Sequence, residues 1–279
     1  MYRNSFRLTN REIDAAFAGR QIGLAFQPKL DLSDGRIVGV ECFARWWHPE
    51  FGLLPPALFL PVLARQGREE ELTRFVLGEA LRAANGWPEA RRAWTISINV
   101  AAADIADGSL PVSIRLALSA AEMDPARLVI EIPERVLAED AAHAAATIHA
   151  LAEIGTGLAV ECALQPPLPG AQQGWSPQFD PGPFSEMKIG GTAMMRFASR
   201  IEGSGLGVVH EALAFAGRHG LATTAVGAES AATVRSLKRL GFNRMQGNVA
   251  APAMAAEDLS ALDGARILEG LLASDATPA

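Results

Sequence analysis

Two cysteines, Cys42 and Cys162, are all that the 279 residues contain. With no spaced framework around them, a disulfide-stapled scaffold is not expected, and a reducing compartment suits the chain. No apolar run approaches the roughly 20 residues that span a bilayer, and the opening MYRNSFRLTNREID lacks the apolar stretch of a signal peptide. The expectation is therefore a cytoplasmic protein with no membrane insertion. Clustered positive charge is also scarce. The 25 basic residues face 31 acidic ones for a net charge of −6, and no basic cluster exceeds a pair such as Arg91–Arg92. Sequence-independent nucleic-acid binding needs a basic face and is not expected. No glycine-rich phosphate loop follows the first strand, which argues against an open doubly wound sheet.

What is present is a core. Hydrophobic residues make up 49% of the chain. Strand candidates fall at 24–32, 36–46, 95–101, 127–133, 157–163, 186–190, 221–229 and 244–249. Most are apolar throughout, as expected of strands buried on both faces. Asp34–Gly35 between the first two signals a tight antiparallel hairpin. Helical patterns lie between the later strands. In 69–84, Leu72, Phe75, Val76, Ala80 and Leu81 form one stripe behind an acidic first turn. Further helices are expected over 139–153, 208–218 and 231–240. Repeated strand–helix units predict one α/β domain over 1–279, a (β/α)8 TIM-like barrel with an antiparallel first strand. A lead-in helix occupies 1–20, and a terminal helix with a frayed tail occupies 265–279.

One segment after the fifth expected strand breaks the rhythm. Residues 164–183, LQPPLPGAQQGWSPQFDPGP, hold six of the 17 prolines. Proline removes amide donors and disfavours helix before it, so an irregular loop is expected. Leu164, Leu168, Trp175 and Phe179 are its apolar contact groups and candidates for docking a partner.

Chemistry in such a barrel sits where strands end. Reading those ends gives Glu41, Asn99, Glu131, Glu161 with Cys162, Lys188, Glu229 and Gln246. Carboxylates, an amide and a lysine converging on one mouth suit hard divalent cations. Any one of them could equally be an isolated polar rim residue; their recurrence at successive strand ends is what carries weight.

The ordered series FQPKLDL, GRIVGVECFARWWHP, SINVA, LVIEIPE, MKIG, AVGAE and QGN resembles the EAL family, which hydrolyses cyclic di-GMP on a barrel of this type. The resemblance covers residues 10 to about 262. It implies that Glu41, Asn99 and Glu131 match metal ligands and Lys188 the catalytic-site lysine. Gln27 and Arg45 match nucleotide contacts, joined as candidates by Glu229 and Gln246. Departures from the family pattern are specific. Glu161-Cys162 stands where active members carry paired aspartates, Val226 replaces a glutamate, and Gly190 replaces an aspartate. Cysteine is a soft ligand poorly matched to Mg²⁺ or Mn²⁺.

From these losses the sequence predicts a degenerate, stand-alone domain that is not an enzyme and holds no metal or cofactor. The expected function is an inactive regulator acting by protein–protein interaction in motility, adhesion or cell-cycle signalling. The alternative is a metal-independent cyclic di-GMP receptor, with an active phosphodiesterase ranked last. Its partner would be an unidentified regulatory protein, with cyclic di-GMP as the candidate ligand, and the chain a monomer or weak dimer.

Overall fold

The computed structural model describes residues 8–139, 141–164, 175–177, 179–190 and 206–274. Helix α1 (Asn10–Ala18) is entered through Thr9, whose hydroxyl accepts from Glu12 N while the Glu12 carboxylate accepts from Thr9 N at 2.7 Å. This reciprocal cap satisfies two otherwise open amides. Strand β1 (Ile22–Asp31) turns back into β2 (Ile37–His48), and a short β3 (Gly52–Leu54) folds against the end of β2. Then follow α2 (Pro56–Arg65), α3 (Glu69–Asn85), β4 (Thr95–Asn99), α4 (Ala102–Asp107), α5 (Leu110–Ala120), β5 (Leu128–Pro133), α6 (Glu134–Glu139) and α7 (Ala141–Ile154). The rest of the chain adds β6 (Gly157–Ala163), β7 (Glu186–Gly190), α8 (Leu206–Arg218), β8 (Ala222–Val226), α9 (Ala231–Leu240), β9 (Arg244–Gln246) and α10 (Gly264–Ala273).

The strands run in the order β1-β9-β8-β7-β6-β5-β4-β2-β3, and β1 also pairs with β2, so eight of them close into a barrel with β3 outside it. β1 is antiparallel to both neighbours, through Ile22↔Trp46 to Leu30↔Ile37 on one side and Leu30↔Met245 on the other. The other barrel pairs are parallel. The expected TIM-like (β/α)8 barrel with its antiparallel first strand is what the chain forms.

The β1–β2 connection is looser than the tight turn expected on Asp34–Gly35. Residues 32–36 join the strands, and Asp31 N and O bond to Arg36 O and Gly35 N. Gly35 has φ +77°, and a Cβ there would lie 2.7 Å from Ala265 Cα. Glycine is required twice over, by the left-handed backbone and by the close approach of α10.

Ile96, Ile98, Leu128, Ile130, Ile132, Leu158, Val160, Met187 and Ile189 are fully buried. They are the apolar runs that made these strands legible. Their alternating neighbours include Glu131, Glu161, Glu186 and Lys188, which is where the fold delivers its chemistry.

The segment after β6 corrects an expectation. Leu164 is buried, the Trp175 ring lies 5.4 Å from Phe215 of α8, and Phe179 lies 5.8 Å from Phe215 and 5.4 Å from Phe184. Trp175 N also donates to Glu211 Oε2 at 2.6 Å. These groups meet the chain's own core and so are not a free docking surface, because edge-to-face aromatic contact beside α8 buries them locally. Leu168 lies outside the described residues, as do the last five residues of the expected tail.

Candidate functional site

Alternate residues of a barrel strand point into the lumen, so each parallel strand offers one side chain near its C-terminal end. Glu41 from β2 is the hub. Its Oε1 accepts from Asn99 Nδ2 at 2.7 Å, and its Oε2 accepts from Lys188 Nζ at 2.7 Å and Gln246 Nε2 at 2.8 Å. Gln246 Nε2 also donates to Gln27 Oε1 at 3.0 Å, and Gln27 Nε2 donates to Asn248 Oδ1 and Ala251 O. Lys188 reaches Glu131 Oε2 as well, and Glu161 Oε1 lies 3.3 Å away. One oxygen from each of Glu41, Glu131 and Glu161 can lie within 4.8 Å of the others.

Burial with few opposing charges sets the electrostatics. Desolvation, with Glu131 adding repulsion, raises Glu41 from 4.5 to about 6. Burial alone would raise Glu131 too, yet Lys188 and Lys29 hold it down at about 2. The Lys188 ammonium, which burial would lower, is kept well above the usual lysine range by Glu131, Glu41 and Glu161. The mouth is thus a partly neutralised carboxylate cluster whose built-in counter-ion is a lysine.

A layer of polar residues that sequence reading missed lies below it. Lys29 Nζ donates to Glu131 Oε1 and Ser97 Oγ, each at 2.8 Å, and sits 3.4 Å from Glu186 Oε1. Thr224 Oγ1 donates to Glu186 Oε1 at 2.6 Å, and Arg244 Nη1 to Glu186 Oε2 at 3.2 Å. The available signal was a charged residue inside a run read as buried on both faces, LAFQPKLDL, and another opening EMKIG.

Not every expected site residue joins the cluster. Glu229 is exposed in the connection after β8, immediately before the Ser230 cap of α9, so its place in the site is corrected. Arg45 is half-buried; its guanidinium lies 5.5 Å from the Phe43 ring centroid and donates to Ala44 O at 3.0 Å. Cys162 is buried, and burial together with nearby Glu134 pushes its thiol far up. A protonated thiol and the Val226 isopropyl group supply no oxygen donors. Glu41, Glu131 and Glu161 can bring one oxygen each together, with Asn99 beside them, a donor set of the kind a hard divalent cation takes.

Beside these carboxylates opens a cavity of about 720 Å³, walled by apolar Phe43, Pro56, Leu60 and Leu72 and edged by Glu41, Asn99, Glu161 and Arg135. A closed barrel with converging carboxylates, an amide and a lysine at the ends of its strands is the geometry the chain presents. The EAL domain model matches residues 10–253, and the chain belongs to that family.

Among curated proteins, the chain is 30% identical over 253 residues to the bifunctional diguanylate cyclase/cyclic di-GMP phosphodiesterase MucR of Pseudomonas aeruginosa, covering 90% of this chain and 36% of MucR. It is 35% identical over 139 residues to another cyclic di-GMP phosphodiesterase of that organism, covering 50% of this chain and 24% of the relative. The chain therefore spans only about a third and a quarter of these proteins. A solved structure of the MucR phosphodiesterase in complex with c-di-GMP superposes with TM-score 0.78 at 28% identity, covering 89% of this chain and 98% of that one. The FimX EAL domain from P. aeruginosa bound to c-di-GMP shares the fold, with TM-score 0.73 at 20% identity over 88% of this chain and 96% of that one.

These findings correct the expected function. An inactive regulator working by protein contact was expected from the changed positions 161, 162 and 226, with a receptor needing no metal, resting on Gln27, Arg45, Glu229 and Gln246, as the alternative. The relatives are named as cyclic di-GMP phosphodiesterases, and the substitutions leave the carboxylate mouth and its cavity in place. Among the described residues no helix is long and apolar enough to cross a membrane.

Proposed function

We propose that the chain binds cyclic di-GMP across the mouth of its barrel with one divalent cation, Mg²⁺ or Mn²⁺, held by Glu41, Asn99, Glu131 and Glu161. The single observation carrying this reading is the convergence of Glu41, Glu131 and Glu161 oxygens within 4.8 Å beside a cavity of about 720 Å³. The carboxylates of the mouth outnumber the one ammonium, Lys188, that pairs with them there, so a further cation favours an anionic phosphodiester at the same place. When bound, such a cation draws charge from the phosphoryl oxygens as a Lewis acid.

The chain's own residues supply the rest. The apolar wall of Phe43, Leu60 and Leu72 offers a surface for a purine face, and Arg45 and Arg135 offer guanidinium groups for phosphate. Gln246 and Asn99 hold Glu41 in one orientation through both of its oxygens. The donors a second cation would need are absent at Cys162 and Val226, so turnover is limited to what one cation supports. Cyclic di-GMP fits on relatedness also, through the phosphodiesterases named above.

Equilibrium dialysis against labelled cyclic di-GMP in Mg²⁺ tests this. Arg45→Ala is expected to weaken binding roughly ten- to a hundredfold, the worth of about 1.5–3 kcal/mol for a charge-assisted bond. Retention by neither parent nor variant would count against the reading.

A further inference from the structure

We propose that Lys29 is a second, built-in counter-ion that sets how tightly the mouth holds a cation, acting through Glu131 from below. The inference rests on the one-cation reading of the mouth. Glu131 is fully buried and has each oxygen committed to a different lysine, Oε2 to Lys188 and Oε1 to Lys29 at 2.8 Å. Lys188 faces the mouth and shares its ammonium with Glu41 and Glu161. Lys29 lies one layer lower: on β1 it pairs with Gly39, two residues before Glu41 on β2, so its side chain enters beneath the strand-end layer. There it lies between Glu131, Ser97 and Glu186 and is only 1% exposed.

The consequence is electrostatic. A cation held by Glu131 lies within a few ångströms of a fixed positive charge that water does not screen, and unlike-charged Glu186 beside Lys29 offsets part of that charge. Arg244 at the far end of the layer in turn holds Glu186 Oε2 at 3.2 Å. Removing Lys29 leaves Glu131 with a free oxygen and adds one net negative charge to the site. Removing the charge of Glu186 does the reverse, because Lys29 then bears on Glu131 alone. Opposite signs from two neighbouring buried residues are what a tuning role requires. A residue that only supports the fold would lower stability and cation affinity together in both cases.

The experiment uses the full chain, with Mn²⁺ alone as the probe and free Mn²⁺ read by electron paramagnetic resonance. Lys29→Met is expected to bind Mn²⁺ at least about tenfold more tightly than the parent, and Glu186→Gln at least about tenfold more weakly, given interactions of charges this close in a buried site. The double variant Lys29→Met/Glu186→Gln should return near the parent value. If Lys29→Met shows no cooperative melting, Glu186→Gln and the double variant still read the same prediction. Glu186→Gln holding Mn²⁺ as tightly as the parent, or a folded Lys29→Met that binds equally or more weakly, overturns the proposal. Mn²⁺ binding by Lys29→Met but not by the parent supports Lys29 as counter-ion while contradicting the native one-cation site. Binding by neither overturns the tuning role and leaves the dinucleotide reading to its own test.

Discussion

Lys188 Nζ lies 2.7 Å from Glu41 Oε2 with both side chains sealed from solvent, so a buried ion pair stands at the centre of the mouth. Breaking such a pair leaves an uncompensated buried charge and costs about 3–5 kcal/mol. For a chain of this size Lys188→Met is therefore expected to lower the melting temperature by about 6–20 °C. Added Mn²⁺ should recover part of the loss, since a cation can replace the missing ammonium among Glu41, Glu131 and Glu161. A variant that melts like the parent would show that the pair adds nothing to the fold.

The same cluster fixes a dependence on pH for the cation-free protein. Glu41 is raised from 4.5 to about 6, so its folded form holds the proton more tightly than the unfolded chain does. Its contribution is fully present below about 4.5 and is lost as pH rises through about 6. Glu131 is lowered to about 2, so its contribution is present above 4.5 and is lost as pH falls toward 2. Melting temperature of the parent relative to Glu41→Gln should accordingly rise as pH is lowered from 6.5 to 4.5. A difference that stays flat over that window, followed by calorimetry or circular dichroism, would contradict the assignment.

Phe179 and Trp175 pack on Phe215 at ring-centroid separations of 5.8 and 5.4 Å. Phe215→Ala removes the ring shared by both contacts and is expected to cost about 3–5 kcal/mol, with Trp175→Ala costing less because that side chain is only partly buried. Denaturant melts would read this directly, and equal midpoints for parent and Phe215→Ala would show that the segment is not anchored there.

Gly190 and Val226 are neighbours across β7 and β8: a Cβ on Gly190 would lie 3.3 Å from Val226 Cγ2. Gly190 and Val226 thus bring no oxygen-bearing side chain to the ends of β7 and β8. Cys162→Asp combined with Val226→Glu is expected to raise cyclic di-GMP hydrolysis in Mn²⁺ at least about tenfold above the parent, a barrier change of about 1.4 kcal/mol. Unchanged turnover would show that these two positions do not limit the chemistry.

Much of this was legible beforehand, for identifiable reasons. Strands such as Leu128–Pro133 and Gly157–Ala163 are mostly apolar, and each carries one carboxylate near its C-terminal end, Glu131 and Glu161, that the barrel places at its mouth. Helix α2 has no counterpart among the expected helices: Pro56 opens its first turn, where proline is tolerated, and Pro61 falls inside it. Glu229 was misplaced, since a position just past a strand does not fix which side of the connection a side chain takes. Lys29 and Glu186 were overlooked because they lie inside the barrel, below the strand ends where attention falls. Lys29 pairs with Gly39 rather than Glu41, a register that a spacing pattern does not display.

The most direct measurement is titration calorimetry of the parent chain with cyclic di-GMP, first in Mg²⁺ and then after complete chelation. Saturable binding in Mg²⁺ that weakens at least about tenfold on chelation is the expected result, because the three carboxylates of the mouth outnumber the single ammonium of Lys188 among them. Binding of equal strength in both conditions, or no binding in either, would contradict a one-cation cyclic di-GMP site.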